Sequence, residues 1–318
     1  MKNKRVEKLQ ASTGRSEKFL LNGLNGDVPD VFYNRFDKTW AEIQNEDGSP
    51  VSRTWTKLPT EIAEDDGTVE YSLNQDYFRC EDFTSEHKGS HILFAGCSQT
   101  EGLGAPLETV WSKLLLNKIN QDKQEKSGFY TIAKAGFGWQ KVVSNFMIYV
   151  EKYGAPEHLF VLLPNVGRFF QWDINSNRYV YVQRYPNGSV VTREQEDGDR
   201  VLDPLLIAKP LTLTEHRKCL VDFAIEWKLF EKYCESIGTK MLWASWDYTE
   251  NENYKLINLS KNYVELSAKE LMKFISKKRP DGKMGKFDLN RRDGHAGILI
   301  NEYWADVFDK EIKDRGWL

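Results

Sequence analysis

The chain lacks any hydrophobic run long enough for a bilayer: its continuous apolar stretches, such as 159–163 (LFVLL), fall far short of the roughly 18 residues a spanning helix needs. Residues 1–18 are polar and net basic, without the apolar stretch of about 7 to 15 residues that a secretory signal carries. A cytoplasmic protein with no membrane partner is the default expectation. Cysteine is scarce, with Cys80, Cys97, Cys219 and Cys234 making up all four and no CxxC pair among them. Cys219 and Cys234 fall on one predicted helix and stand ~22 Å apart at ~1.5 Å of rise per residue, beyond disulfide reach, so reduced thiols are expected. The five histidines are scattered without zinc-ligand spacing, and a metal is not expected. An excess of one charge is missing as well. Lys plus Arg is 44 against 47 for Asp plus Glu, and the net charge of −3 gives no global pull toward nucleic acid. What remains, at 40% hydrophobic and 13% aromatic over 318 residues, is a folded chain able to bury a real core.

No internal repeat is present, but the periodicity changes near residue 90. Residues 28–83 hold short aromatic and β-branched pieces broken by turn signals at 46–50 (EDGSP) and 65–67 (DDG), the pattern of hairpins and loops. Residues 1–88 are therefore read as an N-terminal accessory region whose basic start carries Lys2, Lys4, Arg5 and Lys8. Residues 89–318 form the main domain. There strands are expected at 92–95, 129–133, 159–163 and 241–244, and helices at 110–119, 139–150, 214–237, 260–276 and 296–312. Trp139, Val142, Val143, Phe146 and Val150 recur at helical spacing, while 159–163 is apolar throughout, as a parallel strand covered on both faces should be. Alternation of this kind means an α/β fold, a three-layer parallel sheet with helices on both sides. A long insertion at about 168–210 interrupts it and holds its own hairpin, 178–185 and 189–192 around Asn187 and Gly188. Tyr179, Tyr181 and Tyr185 share one face of that hairpin, available to a sugar ring or to their own neighbours.

Ligands in open α/β sheets sit at the carboxyl ends of the strands, which directs attention to the loops there. After the first strand, 96–102 (GCSQTEG) exposes Ser98 on a glycine-flanked turn, as a nucleophile or as a plain helix cap. After the second, 135–138 (AGFG) offers close backbone approach at Gly136 or Gly138, or an ordinary turn. After the third, Asn165 brings a neutral amide donor and Arg168 a cation, in a segment that equally suits a turn. Before the last helix, Asp293 stands two residues from His295, the spacing of a base and its orienter or of an N-cap and a solvated first turn. Jointly these loops put a nucleophile, oxyanion donors and a base on one edge of one sheet.

Those residues resemble the SGNH, or GDSL-type, hydrolase superfamily, whose four blocks occur in this order. Gly96, Ser98, Thr100 and Gly102 match its GxSxTxG block, with Cys97 where Asp is common. Residues 133–138 (AKAGFG) resemble the second block without its opening Asn. The third keeps Asn165 and little else of GxND, and the fourth is similar through Asp293 and His295, two residues apart where three is common. Upstream, 73–79 (LNQDYFR) and 81–83 (EDF) look like the segment that precedes the first block. The resemblance spans about residues 72–310 without the insertion. It implies a flavodoxin-like sheet and a serine esterase needing no cofactor. Ser98 would be the nucleophile, His295 the base and Asp293 its orienter. The Ser98 and Gly136 N–H groups and the Asn165 amide would form the oxyanion hole. Arg168, Trp139 and Gly138 are candidate substrate contacts. The expected substrate is a small-molecule or glycan ester, with O-acetylated carbohydrate foremost. An O-acyltransferase on the same triad is one alternative, and a non-catalytic binding or assembly protein with a degenerate site is another. Cys97 is expected to be a small buried side chain.

Overall fold

A computed structural model describes residues 52–56, 68–72, 74, 76, 78–87, 89–102, 105–134, 137–173, 178–184, 190–193, 213–247, 260–278 and 295–317, with backbone alone in 52–56, 68–72, 168–173, 178–184, 190–193 and 213–219. In chain order the elements are β1 (Ser52–Thr56), β2 (Thr68–Ser72), β3 (Ile92–Gly96), α1 (Ser98–Glu101), α2 (Trp111–Asn120), β4 (Tyr130–Thr131), α3 (Trp139–Tyr153) and β5 (His158–Leu163). There follow β6 (Arg168–Asp173), β7 (Arg178–Arg184), β8 (Val190–Arg193), α4 (Leu213–Ser236), β9 (Lys240–Ser245), α5 (Ala268–Lys278) and α6 (Ile298–Asp314). Among the described residues no helix is long and apolar enough to cross a membrane.

β3, β4, β5 and β9 make a four-stranded parallel sheet in the spatial order β4-β3-β5-β9. Numbered within the sheet, that order is 2-1-3-4, which agrees with the start of the flavodoxin-like 2-1-3-4-5 arrangement. The alternation of side chains along the strands separates two cores. Leu93, Ala95, Leu159, Val161, Leu163, Met241 and Trp243 point to one face, where Val142, Phe146 and Tyr149 of α3 meet Phe223, Trp227 and Phe230 of α4. Ile92, Phe94, Phe160, Leu162, Leu242 and Ala244 point to the other, under Trp111 and Leu115 of α2, Leu271 and Ile275 of α5, and Trp304 and Phe308 of α6. Every residue of β3 and β5 is buried, which explains their unbroken apolar runs.

Several boundaries differ from the sequence expectation. β4 shrinks to two residues because only Leu93 and Phe94 find partners on it. α5 starts at Ala268, not at 260, because Tyr263 instead bridges in parallel to Trp243, and the Val264 N–H bonds the Trp243 carbonyl. Arg168, expected in a loop, opens β6, which pairs antiparallel with β7 and aligns Phe170 with Tyr181 and Trp172 with Tyr179. β7 and β8 are antiparallel with Arg184 opposite Val190, so the turn signal at Asn187 and Gly188 falls in a connection outside the described residues. Tyr185 lies there too. β1 and β2 also pair antiparallel; the 46–50 and 65–67 signals and the basic start are outside the described residues. Phe78, within the expected accessory region, belongs to the main core.

The amino end of β3 carries a stacked histidine pair. His87 and His91 lie 3.4 Å apart between ring centroids with 18° between planes, and His91 Nε2 shares a 2.7 Å hydrogen bond with the Tyr149 hydroxyl. Burial, followed by the neighbouring His87, pushes His91 down to about 3, and burial with Lys240 and Lys123 pushes His158 down to about 4. Both are neutral in the folded chain, whereas an unfolded histidine takes up a proton near 6.5. The unfolded state therefore binds more protons below that pH. Stability is full above pH 6.5 and declines as the pH falls toward 3. The urea midpoint is expected to drop between pH 6.5 and 4, with a shallower drop in His91→Gln; equal slopes in the two proteins would contradict the assignment.

Candidate active site

The turn after β3 is built by close approach. A Cβ on Gly96 would collide with Thr100 Oγ1 and lie 2.6 Å from the Leu162 carbonyl oxygen. The absence of that atom lets the chain fold straight from β3 into the single turn α1. Thr100 Oγ1 accepts the Trp111 indole N–H at 3.2 Å, which fastens α1 to the first residue of α2. Gly102 ends α1 in the left-handed region at φ 77°, where any side chain would collide with Val110. The pattern G-x-S-x-T-x-G thus has a packing reason at each fixed position around Ser98.

Beneath this turn lies Arg79, only 2% exposed. Its guanidinium donates to the carbonyls of Glu101 at 3.1 Å, Gly102 at 2.8 Å and Ala105 at 3.0 Å, satisfying the C-terminal acceptors of α1 and of the bend after it. Inside the turn the Thr100 and Glu101 N–H groups bond the Cys97 carbonyl, and that of Gly102 bonds the Ser98 carbonyl. The Ser98 N–H is not used within the turn. Ser98 itself is buried, with its hydroxyl 4.0 Å from Cys97 Sγ.

β5 pairs directly with β3, Leu162 opposite Gly96, so the residues that follow the two strands emerge side by side, strands being ~4.8 Å apart. Asn165 is held by its own side chain: Oδ1 accepts the Gly167 N–H at 2.6 Å, the turn role foreseen for it. That bond fixes the amide and leaves its Nδ2 donors as the part the turn does not use.

The histidine segment reaches the same edge through Gln99. The Ala296 N–H donates to Gln99 Oε1 at 3.0 Å, joining the residue next to His295 to the residue next to Ser98. Asn301 of α6 holds the other side. Its Nδ2 donates to the carbonyls of Ala296 at 3.2 Å and Gly297 at 2.9 Å, while its Oδ1 accepts the Trp111 N–H at 2.9 Å and caps α2. Ser98, Asn165 and His295 are thereby brought to one edge of the sheet.

Other expected residues fare differently. Asp293 and Gly136 lie outside the described residues. Gly138 is the buried N-cap of α3. Trp139, expected at the substrate, is 4% exposed and packs edge-on against Phe223 at 5.6 Å, so it sits in the core. Arg168 is described only as the first backbone position of β6. Cys97 is fully buried.

Three contributors were not anticipated, Gln99, Asn301 and Trp246, and Arg79 was noted only as the end of the segment 73–79, without a role. Trp246 follows β9, the fourth strand, and its indole N–H donates to Cys97 Sγ at 3.3 Å. The rule that singled out the loops after the first three strands would have found it had it been applied to the fourth. A cavity of about 400 Å³ lined by Glu81, Lys113, Asn117 and Ser127 lies by the end of α2 and the start of β4, at the amino ends of the strands, and is separate from this site. Among the described residues no group of three or more His, Cys, Asp or Glu side chains is placed to hold a metal ion.

No protein-family model matches the chain, and no curated protein matches it. Among solved structures it is similar to a psychrotrophic esterase, EstA from Pseudoalteromonas sp., inhibited by monoethylphosphonate. The identity is 12% and the TM-score 0.39, over 71% of this chain and 98% of that one.

Proposed function

We propose that the chain is a serine ester hydrolase of the SGNH type acting on small acyl esters, with O-acetylated carbohydrate as the first substrate class. The observation that carries this reading is the Gln99–Ala296 hydrogen bond, which ties the neighbours of Ser98 and His295 together across 197 positions of sequence. Ser98 Oγ attacks the ester carbonyl while His295, oriented by Asp293, takes the hydroxyl proton. The oxyanion is received by the Ser98 and Gly136 N–H groups and Asn165 Nδ2, each such donor lowering the barrier by roughly 3 kcal/mol. The C–O bond breaks, the alcohol leaves with the proton from His295, and water repeats the sequence to release the acid. In the same proposal the segment 168–210 is an insertion and residues 1–88 an accessory region, whose Phe78 and Arg79 are built into the main domain, both segments shaping access to the site.

Intact-mass labelling with a fluorophosphonate tests the nucleophile without knowledge of the substrate. One adduct on Ser98 is expected in the wild type and none in Ser98→Ala or His295→Ala. Folded wild-type protein that takes up no reagent would defeat the proposal.

A further inference from the structure

Trp246 spans the carboxyl end of β5. Its backbone N–H donates to the carbonyl of Leu163, the last residue of β5, at 3.1 Å. Its indole N–H reaches Cys97 Sγ, just beyond the end of β3. β5 lies between β9 and β3 in the sheet, so a side chain rooted after β9 and tipped on Cys97 lies across the end of β5. That is the ground between the Ser98 turn and the Asn165 loop. The ring is partly exposed and packs against both hydrophobic cores, as a lid on the seam between them would.

We infer that Trp246 is the specificity-determining wall of the acyl pocket, holding the enzyme to short acyl groups. The inference rests on the hydrolase reading above. An ester whose carbonyl oxygen sits between the Ser98 N–H and Asn165 Nδ2 sends its acyl carbons over the end of β5, where the indole takes the space of the third and later carbons. Cys97 serves this wall. A thiol accepts the indole N–H while keeping the floor apolar, whereas a carboxylate there would bring a buried charge against the ring.

The test is a p-nitrophenyl ester series of acetate, butyrate and hexanoate on the full chain, run beside fluorophosphonate labelling of Ser98. The wild type is expected to prefer acetate, and Trp246→Ala to raise the hexanoate-to-acetate ratio of kcat/KM by about tenfold or more through KM, with Trp246→Phe moving it by less than about threefold. Trp246→Leu carries the same comparison if the alanine variant does not fold. Labelled Ser98 with an unmoved ratio, or a wild type that already takes hexanoate as well as acetate, overturns the wall while sparing the hydrolase. A wild type with no Ser98 adduct overturns both.

Discussion

Replacing Ser98 by alanine is expected to bring p-nitrophenyl acetate turnover down to near the uncatalysed rate, a fall in kcat on the order of 10⁴-fold or more. His295→Ala should fall by a comparable factor, and the double variant should be little worse than either alone. The reason is that nucleophile and base act as one unit. A serine hydroxyl without an acceptor for its proton is as idle as an acceptor without the hydroxyl. Ser98 is small, and losing its hydroxyl leaves the backbone bonds of α1 intact, so thermal melting should be unchanged within about 1 kcal/mol. Initial-rate kinetics on the three variants give the answer. Losses that multiply in the double variant would mean that the two residues act separately.

The largest stability effect is expected at Arg79. Arg79→Ala takes from the carbonyls of Glu101, Gly102 and Ala105 the buried donor they share, the Gly102 carbonyl keeping the Ala105 N–H, and each buried hydrogen bond lost in this way costs about 1–3 kcal/mol. A total loss of about 3–5 kcal/mol follows, a large share of the 5–15 kcal/mol that holds a typical domain together. Arg79→Lys keeps the charge but not the fork of donors, so it should fall between wild type and Ala. Urea denaturation of both variants, followed by fluorophosphonate labelling, measures the effect. Because Arg79 braces the turn that presents Ser98, labelling should weaken even in variant protein that is still folded. An Arg79→Ala midpoint close to the wild type would remove Arg79 from the foundations of the site.

The parallel sheet was legible because burial on both faces writes an unbroken apolar run, and β3, β5 and β9 each have one. The helices beside it were legible for the matching reason: Trp139, Val142 and Phe146, read from their helical spacing, lie on the covered face of α3, while Val143 and Val150 at its edge are partly buried. The start of α5 was not legible, because residues 260–263 join a strand edge through Trp243, a contact no local pattern announces. β6 was hidden in RFFQWD, which reads as readily as loop as strand until β7 supplies a partner. In the proposed site, Ser98 stood out through its GxSxTxG block, while Asn165 kept little of its own. The residues that hold these blocks together did not, since Arg79 meets acceptors 22 to 26 positions ahead, and Trp246 meets Cys97 across 149. Long-range side-chain partners of this kind leave no periodicity behind.

The three bonds of Asn301 also set an order of events during synthesis. One carboxamide on α6 caps α2 and holds the Ala296 and Gly297 carbonyls, so the histidine loop has no anchorage on that side until residue 301 exists. A nascent chain can complete β3, β5 and the Ser98 turn long before this. In the enzyme proposed above, the ribosome must deliver the last helix before Ser98 gains His295 as its partner, which would keep an unfinished chain chemically silent however early its sheet forms.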